Sequence, residues 1–120
     1  MKQFVVIGLG RFGSSVATTL ADNNYDVLAI DKDEERVQSI SNKVTHAVEA
    51  DATDEEALKT LGVRNFDVAV VSIGDNVSAN ILCTLILKEL KKPYVIVMAT
   101  DTLHGKILTK VGADKVFYPE

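Results

Sequence analysis

Short apolar runs alternate with amphipathic stretches along the whole chain. The runs are rich in valine and isoleucine, and glycine, proline, asparagine or aspartate stands beside most of them. A continuous apolar run of this length, bounded by turn-forming residues, is typical of a strand buried on both faces. The pattern therefore predicts six strands, at residues 4–8, 26–30, 46–50, 67–73, 94–98 and 116–118.

The stretches between these runs carry apolar residues at helical spacing. Phe12, Val16 and Leu20 recur at every fourth position and predict a helix over residues 11–23. A longer helix is predicted over residues 76–91, and its apolar side chains cover more than one narrow face. Those side chains are Val77, Ile81, Leu82, Leu85, Ile86 and Leu90. This coverage has two interpretations, either deep burial within the domain or an apolar surface that contacts another protein.

Capping residues set the expected ends of two helices. Thr53 is followed three residues later by Glu56, a spacing that resembles a capping box and predicts that Thr53 begins a helix. Gly62 favours the end of that helix, because glycine accepts the left-handed conformation common at a C-terminal cap. Asn76 and Ser78 are both candidates for the N-cap of the long helix, and the sequence does not choose between them.

The order of these elements predicts the fold class. Strands and helices alternate regularly, which is typical of an α/β protein with a parallel sheet. We therefore expect a Rossmann-like, doubly wound parallel sheet of six strands with helices on both faces. A length of 120 residues suits a single domain.

The charge and the reactive residues narrow the function. A net charge of −4 and an isoelectric point near 5.1 argue against a surface for nucleic acid or anionic membrane. Cys83, the lone cysteine, cannot form an internal disulfide and is expected as a small buried apolar residue, which fits a reducing, cytosolic setting. His46 and His104 are expected in structural or surface roles, since neither has a neighbouring nucleophile or carboxylate that suggests a catalytic pair.

A glycine-rich loop joins the first strand to the first helix. Gly8, Gly10 and Gly13 form the pattern G-x-G-x-x-G, in which the glycines allow a tight turn, close approach of a phosphate and close packing of the helix. The helix N-terminus then offers N–H groups and a positive dipole end to an anion. The predicted nucleotide site also includes the intervening residues Leu9, Arg11 and Phe12.

An aspartate ends the second predicted strand. Asp31 lies 18 residues after Gly13, close to the usual distance for a carboxylate that binds the ribose of a dinucleotide. Such a carboxylate accepts hydrogen bonds from ribose hydroxyls and repels a 2′-phosphate, so NADP is disfavoured. Lys32 belongs to the predicted site as well, either softening that repulsion or pointing to solvent.

Two further turns fall at the same edge of the predicted sheet. Asp51, Ala52 and Thr53 follow the third strand, where the turn borders the expected adenine pocket or serves only as a helix cap. The fourth strand ends at the crevice where strand order reverses, so its last residues are expected to face ribose and phosphates. Those residues are Ser72, Ile73, Gly74 and Asp75.

The motifs together resemble one family. FVVIGLGRFGSSVA, VLAIDKDEERV, HAVEADATDEEAL, DVAVVSIGDN and ILTKVGADKVFYPE are similar to the RCK N-terminal domain, also called KTN or TrkA-N. The resemblance covers essentially the whole chain and is closest to the Ktr branch, the cytosolic regulators of bacterial potassium transporters.

The resemblance implies a sensor. Domains of this family bind ATP, ADP or NAD(H) without turning over a substrate, and they form dimers that stack into an octameric ring under a membrane K⁺ transporter. It places the nucleotide over the glycine loop, with ribose on Asp31 and adenine near Asp51 to Thr53. It places dimer contacts on helices that correspond to parts of residues 76–91 and 103–111. The chain is then expected to be cytoplasmic and peripheral to the membrane.

Two implications concern the end of the chain. By resemblance to the Ktr branch, Glu120 is expected to help hold a divalent cation near the phosphates. Family members also continue into a second, C-terminal ligand-binding domain, which is absent from these 120 residues, so we expect a single N-terminal domain here.

The sequence leaves a competing function, the cofactor-binding half of an NAD-dependent oxidoreductase. No pair of residues resembles the acid and base of hydride transfer, which favours a regulatory module over an enzyme. Arg11 is then the residue of interest, because a permanently charged guanidinium at a helix N-terminus can distinguish numbers of phosphates. The alternative is a surface arginine beside a loop.

Overall fold

The computed structural model describes residues 2–119, which form six strands and five α-helices. The strands are β1 (Gln3–Ile7), β2 (Asp26–Asp31), β3 (His46–Glu49), β4 (Val68–Val71), β5 (Tyr94–Met98) and β6 (Lys115–Phe117). The helices are α1 (Arg11–Asp22), α2 (Glu34–Ile40), α3 (Glu55–Thr60), α4 (Val77–Glu89) and α5 (Thr102–Val111), and a 3-10 turn spans Val63–Asn65.

The strands form one parallel sheet in the order β3-β2-β1-β4-β5-β6. The predicted fold class is therefore confirmed. The chain order reverses between β1 and β4, and the segments that follow these two strands diverge because their helices, α1 and α4, lie on opposite faces of the sheet. This crevice is where open α/β sheets bind ligands.

The sheet is packed on both faces, because alternate residues of each strand point to opposite sides. On β1, Val5 and Ile7 belong to the apolar cluster under α3, α4 and α5, while Val6 belongs to the cluster under α1 and α2. All three side chains are at most 1% exposed. This double burial explains why the strand sequences read as continuous apolar runs rather than as alternating ones.

The predicted cap of α3 was wrong. The N-cap is Asp54, whose Oδ1 accepts hydrogen bonds from the N–H groups of Glu56 (3.0 Å) and Ala57 (3.4 Å). Asp54 is itself a favoured capping residue one position closer to the helix, so Thr53 remains in the preceding turn. Gly62 follows the C-cap in the left-handed conformation with φ of +75°, which agrees with the prediction.

The cap of α4 is settled in favour of Asn76. Its side chain accepts a hydrogen bond from the N–H of Ala79 at 3.0 Å. The helix buries Cys83, Ile86 and Leu87 against the sheet. Further apolar side chains of α4 and α5 stay exposed on the other side, namely Val77, Leu82, Leu85, Leu103 and Ile107. The wide apolar coverage of α4 is therefore only partly explained by burial within the domain.

Candidate functional site

A cleft of about 460 Å³ opens where the strand order reverses, between β1 and β4, above the carboxyl ends of the strands. Its volume is in the range of sites that enclose small ligands. Nearly all of the predicted site lines this one cleft. The lining residues from that prediction are Gly8, Gly10, Arg11, Phe12, Asp31, Lys32, Asp51, Ala52, Thr53, Ser72, Ile73, Gly74 and Asp75.

Two predicted residues support the loop from behind instead of lining the cleft. Leu9 is 3% exposed, and its side chain packs in the apolar cluster under α1 and α2. Gly13 lies against the carbonyl of Gly8 and the hydroxyl of Ser72, and a Cβ placed on Gly13 would overlap both oxygens. The glycine at this position therefore lets α1 pack directly on the end of β1.

The turn itself requires Gly8. Its φ is +96°, which L-residues with a side chain rarely adopt. A Cβ at Gly8 would also lie 2.8 Å from both the backbone nitrogen of Ile73 and the carbonyl carbon of Ser72. Ser72 adds a fixed contact, since its buried hydroxyl donates a hydrogen bond to the Gly8 carbonyl at 2.7 Å. The glycine loop is thus held firmly to the end of β4.

Gly10 leaves the helix N-terminus open. It is the N-cap of α1, and no side chain of the described residues caps this end. A Cβ built on Gly10 would meet nothing closer than Nη1 of Arg36, at 4.0 Å. The N–H groups in the first turn of an α-helix have no partner inside the helix, so these are free to bind an anion in the cleft.

Asp31 is held in a fixed position beside the loop. Its side chain is nearly buried, and Oδ2 accepts a hydrogen bond from the Leu9 N–H at 2.7 Å. Oδ1 accepts from the Asp33 N–H at 2.8 Å, and Nη1 of Arg36 lies 3.6 Å from Oδ2. Each carboxylate oxygen has a second lone pair, so both can still accept a hydroxyl from a ligand.

The turn after β3 is organised by Asp51. Its Oδ1 accepts from both the hydroxyl (2.6 Å) and the backbone N–H (2.9 Å) of Thr53. These two hydrogen bonds, together with the positive charge of Lys32, hold the pKa of Asp51 below its usual value against the opposing effect of burial. Asp51 therefore stays ionised, and Oδ2 forms no hydrogen bond with any residue of the 2–119 segment.

The two arginines of the cleft differ in their salt bridges. Arg36 is paired with Asp31 and also places Nε 3.9 Å from Oδ2 of Asp33. Arg11 is exposed in the first turn of α1 and makes no salt bridge within the part of the chain that the structure describes. Its neighbour Phe12 is partly covered by the ring of Phe117, with centroids 5.0 Å apart. Arg11 is thus the guanidinium available to a bound anion.

The family model of the TrkA-N domain matches residues 4–119. The chain belongs to the TrkA-N family. Two similar relatives are Ktr system potassium uptake proteins C and A of Bacillus subtilis, each 49% identical over 119 residues. The alignments cover 99% of this chain and 54% of each relative, so the chain spans about half the length of the curated relatives it matches.

Solved structures agree with the fold of this TrkA-N domain. The TrkA-N domain of the inner membrane protein ybaL from Escherichia coli superimposes with a TM-score of 0.85 at 19% identity, covering 98% of this chain and 86% of that one. The GsuK channel bound to NAD gives a TM-score of 0.82 at 26% identity, covering 98% of this chain and 21% of that one.

The remaining reactive residues lie outside the cleft. Cys83 is fully buried, and burial raises the pKa of its thiol to about 12, so it is no nucleophile. His46 is exposed at the start of β3, and His104 is buried in α5. Residues 2–119 contain no group of three or more histidine, cysteine, aspartate or glutamate side chains that could hold a metal ion. Glu120, the expected cation ligand, lies outside the described residues.

Sequence reasoning missed several residues of the cleft. Arg36 had a usable signal, because it lies in the first turn of a helix that starts just after Asp31. Met98 was predicted only as a strand residue, yet it lines the cleft, as does Asn76, which closes the turn after the fourth strand and was predicted as a candidate cap. Met98 ends β5, which neighbours β4, so only the strand order could have placed it there.

Proposed function

We propose that this TrkA-N domain senses adenine nucleotides within a cytoplasmic regulator of a bacterial K⁺ uptake system. Its cleft binds ATP, ADP or NAD(H). One observation carries the proposal: the uncapped N-terminus of α1 at Gly10 and the fixed carboxylate of Asp31 face the same cleft. This combination supplies an anion site and a ribose site in one place.

The phosphates bind over the glycine loop. The open space at Gly10 admits a phosphate to the first-turn N–H groups of α1, where the helix dipole favours negative charge. Arg11 adds a forked donor that can form two parallel hydrogen bonds with phosphate oxygens. ATP and ADP present different numbers of phosphate oxygens to this guanidinium, which gives the site a means of distinguishing them.

The nucleoside lies toward β2 and β3. Asp31 accepts hydrogen bonds from the ribose hydroxyls, and its negative charge disfavours a 2′-phosphate. Asp51 keeps Oδ2 free to accept from the adenine amino group, while Ala52 and Thr53 complete that end of the cleft. A divalent cation at the phosphates remains part of the proposal, with Glu120 as its expected ligand.

In this proposal, self-association of the domain transmits the effect of nucleotide binding to a partner protein. The exposed apolar side chains of α4 and α5 lie on two helices that contact each other, and Leu103 is 67% exposed. Burial of such side chains favours association at about 25 cal/mol per Å² of apolar surface. We propose that they form a homodimer, that dimers assemble into an octameric ring, and that the ring acts on a membrane K⁺ transporter.

Regulation requires unequal binding to two arrangements of the dimer, because a ligand of equal affinity for both shifts nothing. ATP and ADP are the expected pair of opposing ligands. The proposal includes no turnover of substrate, in keeping with relatives named as potassium uptake proteins. Within residues 2–119 no helix is long and apolar enough to cross a membrane. The proposal places the transporter in a separate chain.

The proposal is tested by calorimetric titration with ATP and ADP, followed by sedimentation velocity of each complex. We expect saturable binding and a sedimentation profile that differs between the two nucleotides. Leu103→Lys is expected to weaken self-association, whereas Tyr94→Lys, which removes an exposed aromatic side chain at the amino end of β5, is not. Absence of binding, or hydride transfer from bound NADH to an acceptor, would overturn the sensor function.

A further inference from the structure

A buried polar pair lies directly behind one wall of the cleft. Asn80 of α4 is 0% exposed and His104 of α5 is 3% exposed, and neither lines the cleft. Removing such side chains from water is costly unless their polar atoms are hydrogen-bonded. Neither residue is among those proposed to contact the nucleotide. The hydrogen bonds that Asn80 and His104 form with other residues therefore indicate a different role.

Hydrogen bonds fix the orientation of both side chains. The N–H of Thr100 donates to Nδ1 of His104 at 3.1 Å, so Nδ1 is an acceptor and the neutral ring carries its proton on Nε2. That Nε2–H faces Oδ1 of Asn80 at 3.0 Å and donates to it. The Asn80 amide is therefore held with its NH₂ group on the opposite side from His104.

The NH₂ group of Asn80 joins the ends of two strands. Nδ2 donates to the carbonyl oxygens of Ile73 and Met98, each at 3.0 Å. Ile73 follows β4 and Met98 ends β5, and both residues line the cleft. Two carbonyl acceptors can be satisfied only by the NH₂ side of the amide, so the orientation set by His104 is the one that these strands require.

The bond to Ile73 also sets the direction of the next N–H group. Residues 2–119 contain no cis peptide, and in a trans peptide the carbonyl and the following N–H point in opposite directions. With the Ile73 carbonyl turned to Asn80, the N–H of Gly74 points away from Asn80. Gly74 lines the cleft, and its N–H donates to no acceptor among the described residues.

We propose that Asn80 and His104 are positioning residues for the nucleotide, which hold the Gly74 N–H toward the cleft as a donor to a ribose or phosphate oxygen. This inference rests on the proposed function. His104 acts at one remove, since it aligns the Asn80 amide, and Asn80 aligns the Ile73–Gly74 peptide. The same arrangement fixes the spacing between the ends of β4 and β5 on this side of the cleft.

The test compares ADP affinity across matched variants. Asn80→Ser shortens the side chain so that it cannot reach both carbonyls, and we expect ADP to bind roughly tenfold more weakly, the loss of about one hydrogen bond. His104→Leu should weaken binding similarly, whereas His104→Gln keeps a donor toward Asn80 and should restore affinity to about the wild-type value. Cys83→Ala is the control, a fully buried change in the same helix that lowers stability without affecting ADP affinity.

A second measurement uses the unmodified protein and so does not depend on any variant folding. On addition of ADP, the backbone amide resonance of Gly74 should shift and its hydrogen exchange should slow. Wild-type affinity in Asn80→Ser and His104→Leu, or an unchanged Gly74 amide in the complex, would overturn this inference while leaving nucleotide binding in place. Failure of the wild-type protein to bind ADP would instead overturn the proposed function as well.

Discussion

Gly13→Ala separates the two tasks of the glycine loop. A Cβ at this position would lie 2.9 Å from the carbonyl carbon of Gly8 and closer still to its oxygen and to Ser72 Oγ. Ordinary contact needs about 3.4 Å or more, so the N-terminus of α1 must move away from β1. Overpacking of this kind costs about 1–3 kcal/mol, and backbone neighbours place this case at the upper end.

Part of that cost is offset by helix propensity. Alanine is favoured over glycine inside a helix by about 1 kcal/mol, which leaves a net destabilisation of about 2 kcal/mol. For a domain of this size that corresponds to a fall in Tm of about 8 °C. Nucleotide affinity should fall as well, because the N–H groups proposed to hold the phosphates move with α1.

Gly10→Ala is the matched comparison. The nearest atom to its Cβ would be 4.0 Å away and φ is −71°, so the unliganded fold accepts the methyl group with a stability change of less than about 1 kcal/mol. The methyl group would nevertheless occupy the open space proposed for the phosphate. Thermal unfolding and ADP titration of both variants provide the assay. An unchanged Tm in Gly13→Ala, or wild-type ADP affinity in Gly10→Ala, would refute the assigned roles.

Three further substitutions test individual side chains. Arg11→Ala should change the free energy of unfolding by less than about 0.5 kcal/mol. In calorimetry it should weaken the binding of ATP at least about tenfold, and unchanged ATP affinity would contradict the role proposed for Arg11. Asp31→Ala removes the acceptor of the buried Leu9 N–H and should cost about 1–3 kcal/mol in denaturant unfolding. It should also weaken ATP, ADP and NADH by the same factor, and unequal losses would show that it contacts more than ribose. Burial lowers the pKa of His104 below 6.5 against the opposing charge of Asp101, so stability should be full above pH 6.5 and decline below it. Chemical denaturation across pH should show a smaller decline in His104→Gln, and an identical decline would exclude His104 as its source.

The order of strands and helices was predictable for two reasons. Apolar residues follow different patterns in strands and in helices, and the glycine, proline, asparagine and aspartate residues that end these elements act locally. The ends of strands were less predictable. β4 was expected to continue through Ile73, yet it ends at Val71. Its last paired residues are Ile7 of β1 and Val97 of β5, which lie far away in the sequence, so the residues around Val71 alone do not determine where the pairing stops. The first strand was expected to include Gly8, which instead leaves the strand in a positive-φ turn.

The cleft was predictable where a short sequence determines the geometry. Gly8, Gly10 and Asp31 belong to a local sequence pattern, and all three line the cleft, while their contacts with a nucleotide stay a prediction. The structural role of Asp31 was not predicted, because its bond to the Leu9 N–H spans 22 residues. Asn80 was missed for the same reason, since its partners lie 7 to 24 residues away.

The capping error has a different origin. Thr53 and Asp54 are adjacent, and both residue types are favoured at N-caps. The three-residue spacing to Glu56 favoured Thr53 as the N-cap. In the structure, however, the hydroxyl and the backbone N–H of Thr53 both donate to Oδ1 of Asp51, so Thr53 belongs to the turn before the helix. The spacing therefore predicts the start of a helix correctly and its N-cap one residue too early.

The central claim is that the cleft binds adenine nucleotides with the ribose on Asp31. Calorimetric titration of the wild-type protein with NADH and NADPH tests it most directly, since the two ligands differ only by the 2′-phosphate. We predict saturable binding of NADH and binding of NADPH at least about tenfold weaker, from repulsion by the buried carboxylate and loss of a ribose hydroxyl donor. Equal affinity for the two, or no binding of either, would contradict the account.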